Sequence, residues 1–182
     1  TSAIEICESI IKEALPELPL VAQKITPEQL LRRLSNGFKS FGRSEELVIA
    51  EELGVFLGSD VRNIPLVQLL TKLYNCPTRL NYETIGRGEE VCNHGFCTML
   101  AGTTPEWLRT AFPGSSMGGG FAGRCIFVYS DKPRPKNAKP AVNICLRQSL
   151  IQDLTVIGGL EGEVFLSPEA WAWYKDWYEN KF

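Results

Sequence analysis

The stretch Leu47-Val48-Ile49-Ala50-Glu51-Glu52-Leu53-Gly54 decides how the rest of the chain is read. Four apolar residues run straight into two adjacent carboxylates. A run that apolar suits a strand buried on both faces, as in the parallel core of an α/β domain. Open α/β sheets place their ligands at the carboxyl ends of the strands. An acid pair at that edge is therefore either a functional group or the first turn of a solvated helix, and the neighbouring segments have to choose.

Upstream, Ile4, Cys7, Ile10, Ile11, Ala14 and Leu15 recur at helical spacing, which predicts an amphipathic helix over 2–15 stopped by Pro16 and Pro19. Leu20 to Ala22 reads as a short strand. Thr26-Pro27-Glu28-Gln29 is a helix start, with a capping hydroxyl, proline in the first turn and an acid behind it. That helix carries Leu30, Leu31 and Leu34 and is expected to end at Asn36-Gly37.

Downstream, Leu66, Leu69, Leu70 and Leu73 share one face of a helix over 64–74. Two strands, 80–85 and 89–92, are joined by the turn Gly86-Arg87-Gly88. Phe96 to Ala101 reads as a core strand and Thr104-Pro105-Glu106-Trp107 as the start of a short helix. Ser115 to Gly120 reads as a mobile glycine-rich loop, and Cys125 to Tyr129 as a third core strand. Lys132 to Lys139 is a basic, proline-broken loop, the one segment suited to touching a phosphate backbone, with a solvated surface loop as the simpler expectation. A helix over 147–157, a short strand over 163–166 and a final helix follow. The aromatics of that last helix, Trp171, Trp173, Tyr174, Trp177 and Tyr178, are expected to pack. Strands alternating with helices, with one inserted hairpin, predict an α/β fold with a mainly parallel sheet.

The totals set limits on this reading. With 44% hydrophobic residues, 182 residues suit a single domain over 1–182 that buries roughly two-thirds of its unfolded surface. A net charge of −2 lacks the basic signature of a free-standing nucleic-acid binder. No apolar run approaches the roughly 20 residues needed to cross a bilayer, so no membrane partner is expected. The six cysteines sit in apolar segments and read as reduced, buried thiols of a cytoplasmic protein. Cys92, His94 and Cys97 are close together but lack the fourth ligand and pair spacing of a zinc site. His94, the only histidine, also has no distant nucleophile to pair with, which argues against Ser-His-Asp or Cys-His hydrolysis.

Three segments acquire meaning together. They are the strand ending at Glu51-Glu52, the strand ending at Ala101-Gly102-Thr103-Thr104, and the loop Gly118-Gly119-Gly120-Phe121-Ala122-Gly123-Arg124. Acid, hydroxyl and guanidinium form the set that phosphoryl transfer needs: a group for Mg²⁺ or water, a polar contact near the γ-phosphate, and a cation for developing charge.

In this order the motifs resemble the ATPases of phage and mobile-element primase-helicase proteins, an uncharacterised-domain family with a RecA-like P-loop core. The resemblance runs through L-V-I-A-E-E-L-G-V-F-L-G, L-L-T-K-L-Y-N-C-P with N-Y-E-T, M-L-A-G-T-T-P-E-W-L, G-G-G-F-A-G-R-C-I-F-V-Y and L-S-P-E-A-W. It implies a P-loop NTPase core with an inserted β-hairpin, binding ATP and Mg²⁺. Glu51 and Glu52 would be the Walker B acids, with Glu51 beside the Mg²⁺, although the family often carries Asp at that position. Thr103 and Thr104 would sense the γ-phosphate, and Arg124 would be the arginine finger. DNA, single-stranded by family resemblance, and further copies of the chain would be the partners, in the cytoplasm of a bacterium or phage-infected cell.

One element of the resemblance is absent: no G-x-x-x-x-G-K-[ST] occurs in the chain. In the family that loop comes directly before the helix that opens this sequence, so Thr1, or less directly Ser2, would be the last residue of a lost G-K-T. Two expectations follow. Either the chain is the truncated core of an ATP-dependent DNA helicase or replication ATPase, or it is a catalytically inactive interaction or assembly module. A DNA-packaging motor would share the same nucleotide chemistry.

Overall fold

The computed structural model describes residues 3–22, 24–58, 64–84, 88–111, 120–131 and 141–181. The expectations for Thr1, for the Ser115–Met117 stretch with Gly118 and Gly119, and for the basic loop 132–139 lie outside the described residues.

Helix α1 (Ala3–Ala14) buries Ile10 and Ala14 and gives way at Pro16. Strand β1 (Leu20–Val21) pairs in parallel with β2 (Glu45–Ala50), Leu20 opposite Leu47 and Val21 opposite Val48. Between them runs α2 (Pro27–Phe41), whose Thr26 hydroxyl accepts the Gln29 N–H at 3.3 Å. This helix continues one turn past the expected stop at Asn36-Gly37. Gly37 is instead a contact residue, since a Cβ there would lie 2.9 Å from the Arg43 carbonyl oxygen. The left-handed residue that ends the helix is Gly42 at φ +71°, its N–H bonded to the Phe38 carbonyl.

After β2 come α3 (Leu53–Leu57) and α4 (Ile64–Leu73), then the antiparallel pair β3 (Arg79–Thr84) and β4 (Gly88–Asn93). His94 takes a left-handed conformation, φ +49°, in the turn into β5 (Phe96–Ala101). Strand β5 lies parallel to β2 on the side away from β1, giving the order β1-β2-β5. The described fold is thus mixed α/β, with a small parallel sheet of three strands and a separate two-stranded hairpin.

The core lies on one face of that sheet. Register puts Glu46, Val48 and Ala50 beside Cys97, Met99 and Ala101. These residues, Glu46 apart, pack with Leu30, Leu31 and Leu34 of α2, Leu53, Phe56 and Leu57 of α3, and Leu66, Leu69, Leu70 and Leu73 of α4. Full burial of each leucine contributes about 1.5–3 kcal/mol before entropy is counted. Ile49 points the other way, to the face where α1 meets β2.

Beyond β5 the pattern of burial changes. Helix α5 (Pro105–Ala111) is followed by a 3₁₀ turn (Ala122–Arg124). Cys125 to Tyr129, expected as a core strand, is irregular and pairs with no described strand, and Ile126 and Val128 are 95% and 93% exposed. The expected strand over 163–166 is likewise irregular and exposed. Helix α6 (Ile144–Gly158) leans on α1, with Arg147 2.6 Å from Glu13 and 3.0 Å from the Ser9 hydroxyl. Helix α7 (Pro168–Asn180) starts at the capping hydroxyl of Ser167, as its sequence predicts. Its aromatics pack on one another rather than on the core: Tyr174 lies 5.8–6.1 Å from Trp171, Trp177 and Tyr178, and Trp173 is 66% exposed. Apolar character at helical spacing names a face, but a face is buried only where a second surface meets it.

Candidate functional site

The carboxyl ends of β2 and β5 are tied together. The Gly102 N–H donates to the Ala50 carbonyl at 2.9 Å, and the Leu53 N–H donates to the Gly102 carbonyl at 2.7 Å. A Cβ on Gly102 would stand 2.5 Å from the Glu51 carbonyl oxygen and 2.9 Å from Ile4 Cδ1. Only glycine therefore lets the two strand tips and the first turn of α1 come this close. The edge assembled in this way carries Glu51 and Glu52 from β2, Thr103 and Thr104 from β5, and Glu5 from α1.

Each of the expected residues has a distinct place there. Glu51 is exposed, and partial loss of hydration, then the carboxylate of Glu5 with Glu8 behind it, push its carboxyl above the ordinary 4.5. Glu52 is the N-cap residue of α3 through its backbone, which accepts the Phe56 N–H at 3.1 Å; its side chain makes no capping bond and is exposed. Strand end and helix start thus coincide at the acid pair, so the two meanings first open for Glu51-Glu52 are not exclusive. Thr104 begins α5, its hydroxyl accepting the Trp107 N–H at 3.2 Å. Thr103 instead lines a cavity of about 540 Å³ together with Met99, Gly102, Tyr74 and Arg124.

Arg124 reaches that cavity from a 3₁₀ turn and not from the tip of a loose loop. Its Nη1 donates to the Gly120 carbonyl at 2.7 Å and its guanidinium sits 5.2 Å from the centre of the Tyr74 ring. Its Nε is buried with no acceptor among the described residues. Threonine and arginine therefore share one cavity, whereas the side chains of Glu51 and Glu52 are not among its described lining.

No group of three or more His, Cys, Asp or Glu among the described residues is placed to hold a metal ion. This extends to Cys92, His94 and Cys97. Cys92 is buried, and its sulfur occupies the space that a Cβ on Gly95 would need. Desolvation, then the Glu46 charge, push the Cys97 thiol up to about 12, so it stays protonated and unreactive at neutral pH. Mg²⁺ has a different requirement. It retains several waters and takes one or two carboxylates plus substrate phosphates, a donor set that Glu51 with Glu5 fits.

Two features of this region escaped the sequence reading. Glu46, 4% exposed, makes a two-pronged ion pair with Arg33 of α2, Nε to Oε1 at 2.9 Å and Nη2 to Oε2 at 3.2 Å. The signal was period-two alternation, which puts Glu46 on the same face as Val48 and Ala50. Glu5 beside Glu51 carries no sequence signal, because their meeting depends on where α1 crosses the sheet.

Comparison with protein-family models, with curated proteins and with solved structures finds no match to this chain.

Proposed function

We propose that the chain is the core of an ATP-dependent DNA helicase or replication ATPase of the phage and mobile-element type. The observation that carries this reading is the shared carboxyl edge of two adjacent parallel strands. One strand presents Glu51-Glu52, the other Gly102-Thr103, and the first turn of α1 lies against both. A nucleotide bound at that edge would have its phosphates near the start of α1, where backbone N–H groups attract anions. The 182 residues hold no such phosphate loop; on this reading one would end at Thr1, directly before α1.

In this scheme Glu52, whose exposed side chain makes no capping bond, orients the attacking water. Glu51 is the carboxylate that would hold Mg²⁺, whose charge would offset the repulsion from Glu5. Bound Mg²⁺ supplies charge neutralisation across the phosphate oxygens. Of the two threonines, Thr103 is assigned to the γ-phosphate contact, since the Thr104 hydroxyl serves α5. Arg124, held by Gly120 and Tyr74, contributes positive charge from within its own subunit and not as a finger reaching into a neighbour. Single-stranded DNA and further copies of the chain are the partners that go with this activity.

The test is DNA-stimulated ATP hydrolysis by the protein carrying its natural residues ahead of Thr1. Glu52→Gln is expected to lower turnover by about 10²–10⁴, the range typical for loss of a positioned general base. Unchanged turnover would rule the assignment out. A second reading, an inactive interaction or assembly module, has the exposed aromatics of α7 in its favour, because apolar surface of that kind marks a binding face. An intact fold that binds DNA or self-associates, yet shows no ATP binding in the longer protein, would select it.

A further inference from the structure

A second cavity, unused by the functional reading, lies at the other margin of the sheet, beside the edge strand β1. It encloses about 660 Å³, within the roughly 300–1,000 Å³ of small-molecule sites. It shares no lining residue with the acid edge or with the Arg124 cavity. Its apolar lining comes from Leu15 and Leu18 after α1, Val21 of β1 and Ile25 before α2. Three cations, Lys12, Lys24 and Arg33, join them, and no acidic residue is among the described lining. In a chain of net charge −2 this is a local concentration of positive charge.

The cations are engaged to different degrees. Arg33 holds Glu46 through Nε and Nη2, and Nη2 also donates to the Leu20 carbonyl at 3.3 Å. Its Nη1 makes no bond among the described residues. Lys12 is paired with Glu8 one helical turn away, a surface pairing of the kind that contributes little. Lys24 is exposed and belongs to no ion pair among the described residues. It lies across the end of α3, where a Cβ on Gly58 would stand 3.5 Å from its Nζ.

The strand edge adds a donor and withholds its acceptor. The Leu47 N–H donates to the Pro19 carbonyl, so β1 meets β2 through its odd-numbered residues and Leu20 turns its N–H and C=O outward. Arg33 takes that carbonyl, which leaves the N–H. An added peptide strand needs donors and acceptors in alternation, and a two-residue edge with its carbonyl capped does not supply them. A nucleotide fits no better. No aromatic side chain is among the described lining to receive a base, and two of the three cations are already paired. What matches is a ligand with an apolar body and a single anionic head.

We infer that this cavity binds a small aliphatic monocarboxylate, a free fatty acid of medium chain length. Lys24 and Nη1 of Arg33 supply charge for the carboxylate, the Leu20 N–H supplies a hydrogen bond, and Leu15, Leu18 and Ile25 supply the surface for the alkyl chain. The inference does not depend on the nucleotide reading, and its readout involves no nucleotide.

The experiment is isothermal titration calorimetry of the 182-residue chain with decanoate, octanoate and octanol. One decanoate should bind per chain. Octanoate should bind about 15-fold more weakly, since each buried methylene is worth about fourfold in affinity. Octanol, which has the same chain length and no charge, should bind at least about tenfold more weakly than octanoate. Lys24→Glu should weaken decanoate binding at least about tenfold, whereas Lys39→Glu, exposed on α2 and outside the cavity, should leave it unchanged. Equal affinity for octanoate and octanol overturns the proposal without recourse to any variant, as does the absence of saturable binding. Decanoate binding that survives Lys24→Glu but is lost in Trp173→Ser also overturns it, assigning the ligand to the exposed aromatics of α7. Binding to anionic phospholipid vesicles without binding of free decanoate overturns it as well, making the patch a contact with a membrane surface.

Discussion

Leu47 to Ala50 and Ile126 to Tyr129 are runs of the same character, four apolar residues rich in β-branched side chains, yet they have opposite fates. The first is paired on both edges, by β1 and by β5, and Val48 and Ile49 are almost completely buried. The second has no partner strand among the described residues and stays exposed. What separates them is the supply of neighbours: a strand exists only where another edge accepts its backbone. The same contrast holds for helices. The leucines of α2 and α4 close over the sheet, whereas the aromatics of α7 pack on one another and lie outside that core.

This contrast can be broken most sharply by deleting side chains in the two regions. Leu34→Ala, at a position with no exposure, should cost about 2–5 kcal/mol in urea denaturation. Val128→Ala should change stability by less than about 0.5 kcal/mol. Equal losses at the two positions would mean that the 125–129 segment is packed in solution. Gly102→Ala comes next, with an expected loss of about 1–3 kcal/mol from overpacking, because its Cβ would meet the Glu51 backbone, which cannot swing away. A neutral outcome would show that the strand tips and α1 are less tightly joined than their distances indicate.

The buried ion pair sharpens the comparison from another side. Arg33→Met leaves the Glu46 carboxylate buried without its cation and should cost about 1–3 kcal/mol, the lower part of the usual range because Arg33 is itself partly exposed. Adding Glu46→Leu should recover most of that loss. Failure to recover would show that the arginine contributes through its packing and not through its charge. The smallest effect is at Glu51, whose carboxyl titrates above the ordinary 4.5. A raised acid pKa favours the protonated form in the fold, so its repulsion is absent at low pH and sets in as pH rises through the folded value. Glu51→Gln should therefore stabilise slightly at pH 7 and not at pH 4, as read by thermal denaturation across pH.

Much of the sheet and the helices around it was legible because those segments announce themselves locally. The Thr26-Pro27 and Ser167-Pro168 starts, the leucine face of 64–74 and the Leu47–Ala50 run each encode their own element. The stop of α2 was misplaced because Asn36-Gly37 looks like a helix end by composition, while the glycine's actual task is close contact with Arg43. The strands expected at 125–129 and 163–166 have strand composition but pair with no described strand. For the site, Glu51-Glu52 and Thr103-Thr104 could be read as strand tips. The division of labour between Thr103 and Thr104 could not, since it depends on which hydroxyl meets the Trp107 N–H. Nor could the fixed seat of Arg124, which depends on Tyr74 of a distant segment.

The central claim is that the acid edge of β2 serves nucleotide hydrolysis. The most direct measurement is DNA-stimulated ATPase turnover of the protein bearing its natural residues before Thr1, for the wild type and for Glu52→Gln at matched folding. The account predicts that turnover falls by about 10²–10⁴ while ATP binding is retained. Equal turnover in the two proteins would contradict it.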